Sequence, residues 1–369
     1  MTPEPQPQLE AELSSADTRM LSPRAGLLLF LIVLGFVLGS IEGVRWLFRV
    51  DPPDPMNGFT IADADVPLDE IERAGTVGLL RPLVDPGSMP AAEAEALKMR
   101  SGNPIFLVSS DRVAIVEVNG ETRGYPLRVL VFHEVVNDTV GGVPIAIVHH
   151  PVSGMVVAFE RTVAEEELTF GPSGLFLDSS LLIFDRPPGN DIARQAESSL
   201  WSPLIGTCLG GPRLGERLTR LPVAVTNWAD FKASVEDPQV VRPHPDYVKS
   251  YRKDLYNQYE GMGIPRFRFD PRPPEPTDGG RPLFTRMLVV AAGSPVEVRA
   301  FALEEIVAAH PEGVLATKVG GEEIELRVVD RERAVVRPSA RAGSEILWSL
   351  ETYWFVWFAS RERILEAAR

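Results

Sequence analysis

The hydrophobic pattern of the chain becomes that of β-strands from residue 105 onward. An apolar run over 112–118 is followed by Asn119-Gly120, a strong hairpin signal because both residues tolerate positive φ. A continuous apolar run at 143–150 is typical of a buried strand, and residues 155–161 are its expected hairpin partner. These runs predict a mainly β domain.

Helical spacing interrupts the strands at a few places. Apolar residues at 127, 130, 131 and 135 predict a short helix within 126–136, with His133 and Glu134 on its last turn. Residues 91–98 are strong helix formers, and 228–235 can form a helix capped by Thr226 or Asn227. Helices therefore form a minor part of an α+β fold.

Further short strands are expected after the central hairpins. Residues 168–170 and 181–184 have strand character, and the Gly-Pro-Ser-Gly sequence at 171–174 predicts a turn between them. A Pro-rich, charged stretch at 242–282 has little apolar periodicity, and we expect it to wrap the core as a long excursion.

The chain contains an apparent internal repeat. Residues 296–307 match 120–131, and Gly320-Gly321 with the following strand matches Gly141-Gly142 and its strand. The second copy carries Val328-Val329 where the first carries His149-His150. The pattern predicts two related strand-helix-strand halves, at about 105–235 and 284–369. Because the second copy lacks the histidine pair, the shared scaffold does not require it.

The N-terminal region contains a candidate membrane segment. Residues 25–41 are apolar and free of charge, at the short end of the roughly 17 to 25 residues that span a bilayer. Flanking arginines weakly favour a signal anchor with the bulk of the chain extracytoplasmic. A cleaved signal peptide is the alternative, because the most apolar part, Leu27 to Leu38, has the length of a signal-peptide core and is followed by the small residues Gly39 and Ser40.

These patterns give an expected domain organisation. Residues 1–24 are Pro- and Glu-rich and predict a disordered cytoplasmic tail, followed by a transmembrane signal anchor over 25–48. The Pro- and Asp-rich stretch at 49–82 resembles a linker. Residues 83–369 are then expected to form one compact extracytoplasmic domain. The signal anchor would hold this domain at the cell membrane as a single-pass protein.

Composition limits the classes of partner and of site. A formal charge of −14 disfavours binding to phosphate backbones, so we expect no nucleic-acid partner. The single cysteine, Cys208, excludes an intramolecular disulfide and zinc sites made of several cysteines. Any metal would have to be bound mainly by histidine and carboxylate.

Three of the five histidines lie within one stretch, 123–154. His133, His149 and His150 could bind a transition metal such as zinc, copper or iron, with Glu134 or Asp138 as a further ligand. Successive strand side chains point to opposite faces, so His149 and His150 share a site only if the strand ends between them. The alternative is that these imidazoles bond to the backbone of a partly buried turn.

Other polar residues are candidates for catalysis. A serine hydrolase using Ser153 is possible, although the sequence around it lacks the glycine that precedes the serine of a nucleophile elbow. Asp185 and Arg186 could line a pocket, or could form an ion pair at a strand end. With Glu134 and Asp138, these complete the candidate catalytic set.

Several motifs, in order, resemble those of the domain of unknown function 3179 family. They are RVAIVEVNGETRGYPLRVLVFHEVVNDTVGGVPIAIV, LTFGPSGLFLDSSLLIFDR, SLWSPLIGTCLGGP and the TNW at 226–228. The resemblance covers most of the chain from about Leu83 and implies no settled chemistry. Family members carry a Cys-Pro-x-Cys-Gly motif where this chain has His150-Pro151-Val152-Ser153-Gly154, which argues against thiol redox chemistry here.

Two functions from different classes follow from the sequence. The first is a metal-binding or metal-dependent extracytoplasmic protein that uses His133, His149 and His150. The second is a non-catalytic binding or scaffold module of the cell envelope. In the second case the histidines would support the fold or capture a partner.

Overall fold

A computed structural model of the chain describes residues 54–61, 63–97, 106–186, 196–248, 250, 251, 253, 255, 256, 259, 280–310 and 313–368. These residues belong to one compact unit, Asp54–Arg369. The predicted tail and signal anchor lie outside the described residues. Within the described part, no helix combines the length and apolar character needed to cross a membrane.

The largest sheet has eight strands, and its order is β19-β18-β23-β8-β7-β6-β2, with β15 paired to β8. Their bounds are β2 (Leu83–Val84), β6 (Val135–Val140), β7 (Val143–His150), β8 (Met155–Glu160), β15 (Arg220–Leu221), β18 (Arg286–Ala292), β19 (Glu297–Ala302) and β23 (Ile346–Tyr353). Strand β7 is buried on both faces of this sheet: its alternate residues enter different hydrophobic clusters, Ala146 and Val148 on one face and Ile145 and Ile147 on the other. That explains the unbroken apolar run of β7.

Two five-stranded sheets pack with the large sheet. One has the order β1-β11-β12-β13-β14, and the other β16-β4-β5-β17-β3. The first consists of β1 (Glu72–Arg73), β11 (Phe170–Leu177), β12 (Ser180–Asp185), β13 (Leu200–Ser202) and β14 (Thr207–Gly210). The second consists of β3 (Ser88–Pro90), β4 (Arg112–Val118), β5 (Glu121–Pro126), β16 (Val223–Asn227) and β17 (Gln239–Val241).

Smaller elements complete the described fold. A three-stranded sheet contains β20 (Val314–Val319), β21 (Glu322–Asp330) and β22 (Val335–Ala340), and β9 (Thr162–Val163) pairs with β10 (Glu166–Glu167). The α-helices are α1 (Ala91–Ala96), α2 (Leu127–His133), α3 (Trp228–Ser234), α4 (Leu303–Ala309) and α5 (Trp354–Ala367). Short 3-10 helices cover Leu68–Glu70 and Pro245–Tyr247. The fold is α+β and mainly β, as predicted.

Most local predictions are confirmed. Asn119 and Gly120 both have positive φ between β4 and β5, and β7 pairs with β8 as an antiparallel hairpin. Helix α3 is capped by Asn227, whose side chain accepts a hydrogen bond from the Asp230 backbone at 2.8 Å. The local residue types therefore determine these elements.

The predicted turn at 171–174 is wrong. Strand β11 runs through this segment with a bulge between Pro172 and Leu175, and the reversal occurs at Asp178-Ser179, both with positive φ. The Asn57 side chain donates hydrogen bonds to the carbonyls of Gly75 and Ser173 and so stabilises the bulge. The Gly-Pro-Ser-Gly sequence marks a bulge rather than a turn because a distant segment supplies these contacts.

The predicted linker does not extend through residues 54–82. Residues from Asp54 onward belong to the folded unit, and Phe59, Val66 and Ile71 are buried in one hydrophobic cluster. Strand β1 pairs with β11, and Ala74 and Gly75 both donate to the Gly174 carbonyl. These few apolar residues did not stand out in the sequence because Pro and Asp dominate the stretch around them.

The two halves share one order of elements: strand, strand, helix, strand, strand. The order is β4-β5-α2-β6-β7 in the first half and β18-β19-α4-β20-β21 in the second. The Gly141 and Gly320 amides each donate to a glutamate, Glu121 and Glu297, at 2.8 Å. The internal repeat of two related halves stays a prediction.

Candidate functional site

A cavity of about 260 Å³ lies beside the end of helix α2. The side chains and backbone around it are mostly apolar; they come from Ala74, Gly75, Thr76, Leu79, Leu80, Glu134, Val152, Pro172, Gly174, Phe176, Leu181 and Tyr256. Among these described lining residues, Glu134 is the only one with a charged side chain. A buried carboxyl in an apolar cavity is an unusual arrangement that invites a functional explanation.

The backbone on both sides of Glu134 fixes the position of its side chain. Helix α2 ends at His133, and Glu134 takes a φ of 58° and a ψ of −35°. Its amide donates to the Leu130 carbonyl at 2.6 Å, and its own carbonyl accepts from the His149 amide at 2.9 Å. Positive φ is costly for a residue other than glycine, so the contacts around it sustain this conformation.

Glu134 is a buried residue whose carboxyl has no polar partner in the described part of the chain. Only 5% of the residue is exposed, and no hydrogen bond or ion pair reaches the carboxyl from the described residues. Burial alone raises the pKa of Glu134 to about 8, because the charged form loses its hydration and gains nothing in return. At neutral pH this group is mainly a neutral acid that can donate a hydrogen bond.

His133, the first predicted metal ligand, has both ring nitrogens engaged by the protein. Nδ1 lies 2.6 Å from the Arg81 carbonyl, which can only accept, so Nδ1 donates. Nε2 then accepts from the Tyr251 hydroxyl at 2.7 Å. Burial lowers the pKa of His133, so the neutral ring fits this arrangement, in which it ties the helix end to two other segments.

His149 and His150 face opposite sides of the large sheet. Strand β7 continues through both residues, with His149 opposite Val156 and His150 opposite Met155. His149 donates from Nδ1 to the Met155 carbonyl at 2.9 Å. The strand therefore does not end between the two histidines, and alternation sends their rings to different environments.

His150 bonds to the two segments on its own side of the sheet. Its Nδ1 accepts from the Leu181 amide at 3.2 Å and lies 2.9 Å from the Ser153 hydroxyl. The proton is therefore on Nε2, which has no hydrogen-bond partner in the described structure. Phe176 packs edge-on against the ring at 4.5 Å between centroids.

The predicted metal site is not assembled in the described part of the chain. There, no group of three or more His, Cys, Asp or Glu side chains is placed to bind a metal ion. The His133 nitrogens are already used, and the other two histidines lie on opposite faces. The backbone-bonded alternative matches the contacts that these imidazoles make.

The buried histidines predict an acid-sensitive fold. Burial lowers the pKa of His149 to about 4 and that of His150 to about 3, so both stay neutral in the native state while the unfolded state takes up protons below its pKa of about 6.5. Stability is therefore lost as pH falls from 6.5 toward 4. Over this pH range we expect the free energy of unfolding of His149→Gln to fall by up to about 3 kcal/mol less than that of the wild type.

Urea unfolding at several pH values between 4 and 7.5 measures this effect. The matched control is His310→Gln at the end of helix α4, outside the buried sheet, which should keep the wild-type pH dependence. An unchanged slope in His149→Gln would show that His149 is not the buried neutral group described above.

Asp138, Ser153 and the Asp185-Arg186 pair have separate structural contacts. Asp138 accepts from the Tyr125 hydroxyl at 2.9 Å and pairs with Arg123 at 3.0 Å. Ser153 is fully buried beside His150. These groups do not join Glu134 in lining the cavity.

Asp185 and Arg186 lie at the end of strand β12. Asp185 accepts from the Ser199 amide at 2.6 Å and lies 3.5 Å from Arg213, and burial raises its pKa to about 6. Burial lowers the pKa of Arg186, whose Nε has no hydrogen-bond partner among the described residues. The carboxylate thus pairs with Arg213 in the structure, and the catalytic roles of both residues stay predictions.

The segment 74–80 was missed as part of a site because it lies in the predicted linker. It supplies Ala74, Gly75, Thr76, Leu79 and Leu80 to the cavity. Leu79 is 74% exposed, which leaves an apolar side chain at the wall of the cavity. The apolar pair Leu79-Leu80 in a polar stretch was the available sequence signal.

The family model for "Protein of unknown function (DUF3179)" matches residues 82–351. This match covers most of the chain, which therefore belongs to that family. No curated protein and no solved structure matches the chain. The cavity and its carboxyl thus provide the main basis for inferring a function.

Proposed function

We propose that this chain is a binding protein of the cell envelope that holds a small, largely apolar molecule in the Glu134 cavity. The observation that carries the proposal is a buried carboxyl, unpartnered within the described structure, on the wall of an apolar cavity. Such a group is costly to bury, and a ligand that hydrogen-bonds to it recovers the lost interaction. The cavity walls supply apolar contact, and Glu134 supplies orientation.

The shape of the cavity supports a small ligand. An engineered protein cavity of about 150 Å³ accommodates benzene, so the present volume of about 260 Å³ is sufficient for a substituted ring or a short branched chain. Val152, Phe176 and Leu181 offer apolar contacts, and Glu134 contributes a hydrogen-bond donor while protonated. This combination fits binding better than the scattered histidines fit a metal site.

Benzyl alcohol is a suitable first probe. It has an apolar ring and one hydroxyl that can accept from Glu134. We expect it to raise the melting temperature of the full-length chain in a saturable manner, because a ligand that binds only the folded state stabilises it by mass action.

Ala74→Phe should abolish this thermal shift, because Ala74 is half-buried on the cavity wall and a larger ring would fill the space. Val314→Phe is the matched control: Val314 is 37% exposed on β20 and does not line the cavity. Equal shifts in the wild type and in Ala74→Phe would refute binding in this cavity.

We further propose that residues 25–41 anchor the protein in the membrane, with the folded unit outside the cytoplasm. The support is their apolar, charge-free sequence and the arginines around it. The full-length chain should sediment with membranes and resist extraction by high salt, and protease added outside spheroplasts should degrade the folded unit. Protection from that protease would contradict the orientation, and a mature chain lacking these residues would indicate cleavage.

A further inference from the structure

The described lining of the cavity has one carboxyl, Glu134, and no basic side chain, and this limits the ligands it can accept. None of its described lining residues is Lys, Arg or His, so an anionic ligand would meet no opposite charge there. It would instead lie next to a carboxyl. The formal charge of −14 over the whole chain also favours the approach of cations over anions.

The geometry of the Glu134 carboxyl favours a ligand with several donors. Both oxygens lack a partner within the described structure. A carbonyl or hydroxyl ligand can accept the carboxyl proton but does not by itself supply donors for both oxygens. An ammonium group has three donors and can reach both oxygens of an ionised carboxyl, in a charge-assisted contact stronger than a neutral one.

Resting on the proposed function, we infer that the natural ligand is a small amine with an apolar body, bound as an ammonium ion paired with the Glu134 carboxylate. Its apolar part contacts Val152, Phe176 and Leu181, and its nitrogen lies against Glu134. The apolar Leu79 at the cavity wall suits a ligand that arrives either from solution or from a membrane surface. The amine chemistry is common to both sources.

The proton balance of this binding step is defined. In water near pH 7 a simple alkyl amine already carries its proton and enters as the ammonium ion. Because the pKa of Glu134 is about 8 in the empty cavity, most molecules hold a proton on this carboxyl at pH 7. That proton leaves to the solvent as the ion pair forms, so each binding event takes up one cation and releases about one proton.

Isothermal titration of the full-length chain with benzylamine and with benzyl alcohol tests the inference. The two probes differ mainly in the polar group on the same ring. We expect benzylamine to bind at least tenfold more tightly than benzyl alcohol at pH 7. Titration in two buffers of different ionisation enthalpy should show release of about 0.9 proton per benzylamine, and close to none for benzyl alcohol.

Glu134→Gln keeps the size of the side chain and removes the charge. We expect it to weaken benzylamine at least tenfold and to change the affinity for benzyl alcohol less than threefold. Retained binding of benzyl alcohol also shows that the variant folds with an intact cavity. If Glu134→Gln bound neither probe, Leu181→Ala would be the second variant to measure, because it keeps Glu134. It would have to bind benzylamine more tightly than benzyl alcohol.

The outcomes separate the two proposals. The amine inference is overturned if benzyl alcohol binds as tightly as benzylamine, or if benzylamine binds without proton release. Neither result contradicts the proposal that the cavity binds a small molecule. The proposed function itself is overturned if neither probe binds to the wild type. It is also overturned if Ala74→Phe binds both probes as tightly as the wild type does.

Discussion

Replacing Gly141 with alanine is expected to lower the free energy of unfolding by about 4 kcal/mol. Gly141 has a φ of 54° between β6 and β7, and a Cβ added there would lie 2.1 Å from the Val118 carbonyl oxygen. The new atom therefore meets the rigid end of strand β4 rather than a flexible side chain. Urea unfolding of the purified chain measures the loss.

The adjacent Gly142 is the matched control. It also has positive φ, at 77°, but an added Cβ would meet nothing within 4 Å. Gly142→Ala should therefore cost only the left-handed backbone penalty of about 1 to 2 kcal/mol. Equal losses in the two variants would show that close approach of β4 to this turn does not contribute to stability.

Replacing Glu134 with glutamine is expected to remove a large pH dependence of stability. The native pKa of about 8 lies above the ordinary glutamate value of 4.5, so between these values the native state keeps a proton that the unfolded state has released. Glu134 thus makes the wild type less stable as pH rises from 4.5 to 8. The stability of Glu134→Gln relative to the wild type should rise by about 5 kcal/mol over that range.

The difference between two unfolding curves isolates this carboxyl. His149 and His150 change stability in the opposite direction over part of the same range, but they are present in both proteins and cancel in the difference. Glu167→Gln is a suitable control, since this carboxylate is exposed on strand β10 and pairs with Arg161. If the difference in unfolding free energy between Glu134→Gln and the wild type did not change with pH, the Glu134 carboxyl would be hydrated or paired in solution.

The sequence predicted the central hairpins because the information for them is local. Asn119-Gly120 has the residue types that a turn with positive φ requires, and the apolar run of β7 reflects burial on both sheet faces. Helix α3 was predicted for the same reason, with Thr226 or Asn227 as its cap, and the structure uses Asn227. Such elements depend little on distant contacts.

The sequence did not predict the cavity because its walls come from distant segments. Gly75 and Ser173 are separated by many residues, yet the Asn57 side chain donates to both of their carbonyls and stabilises a bulge where a turn was expected. The linker interpretation removed 74–80 from consideration because polar and proline residues dominate the surrounding composition. Tertiary contacts override local pattern at both places.

The sequence placed its candidate site in the stretch that contains Glu134, but it ranked the histidines first, and the described structure does not bring them together. Histidine clustering suggested a metal, yet alternation along β7 separates His149 from His150, and His133 is held by Arg81 and Tyr251. Glu134 was a candidate, but its importance depends on positive φ and on the absence of a partner in the described structure. Neither property is encoded by residue type alone.

A crystal structure of the full-length chain with benzyl alcohol would show whether a ligand binds in the Glu134 cavity. We expect the ring to lie against Val152, Phe176 and Leu181, with the hydroxyl oxygen about 2.5 to 3.0 Å from a Glu134 carboxyl oxygen. Benzyl alcohol bound only elsewhere, with the Glu134 cavity left empty at saturating concentration, would contradict it.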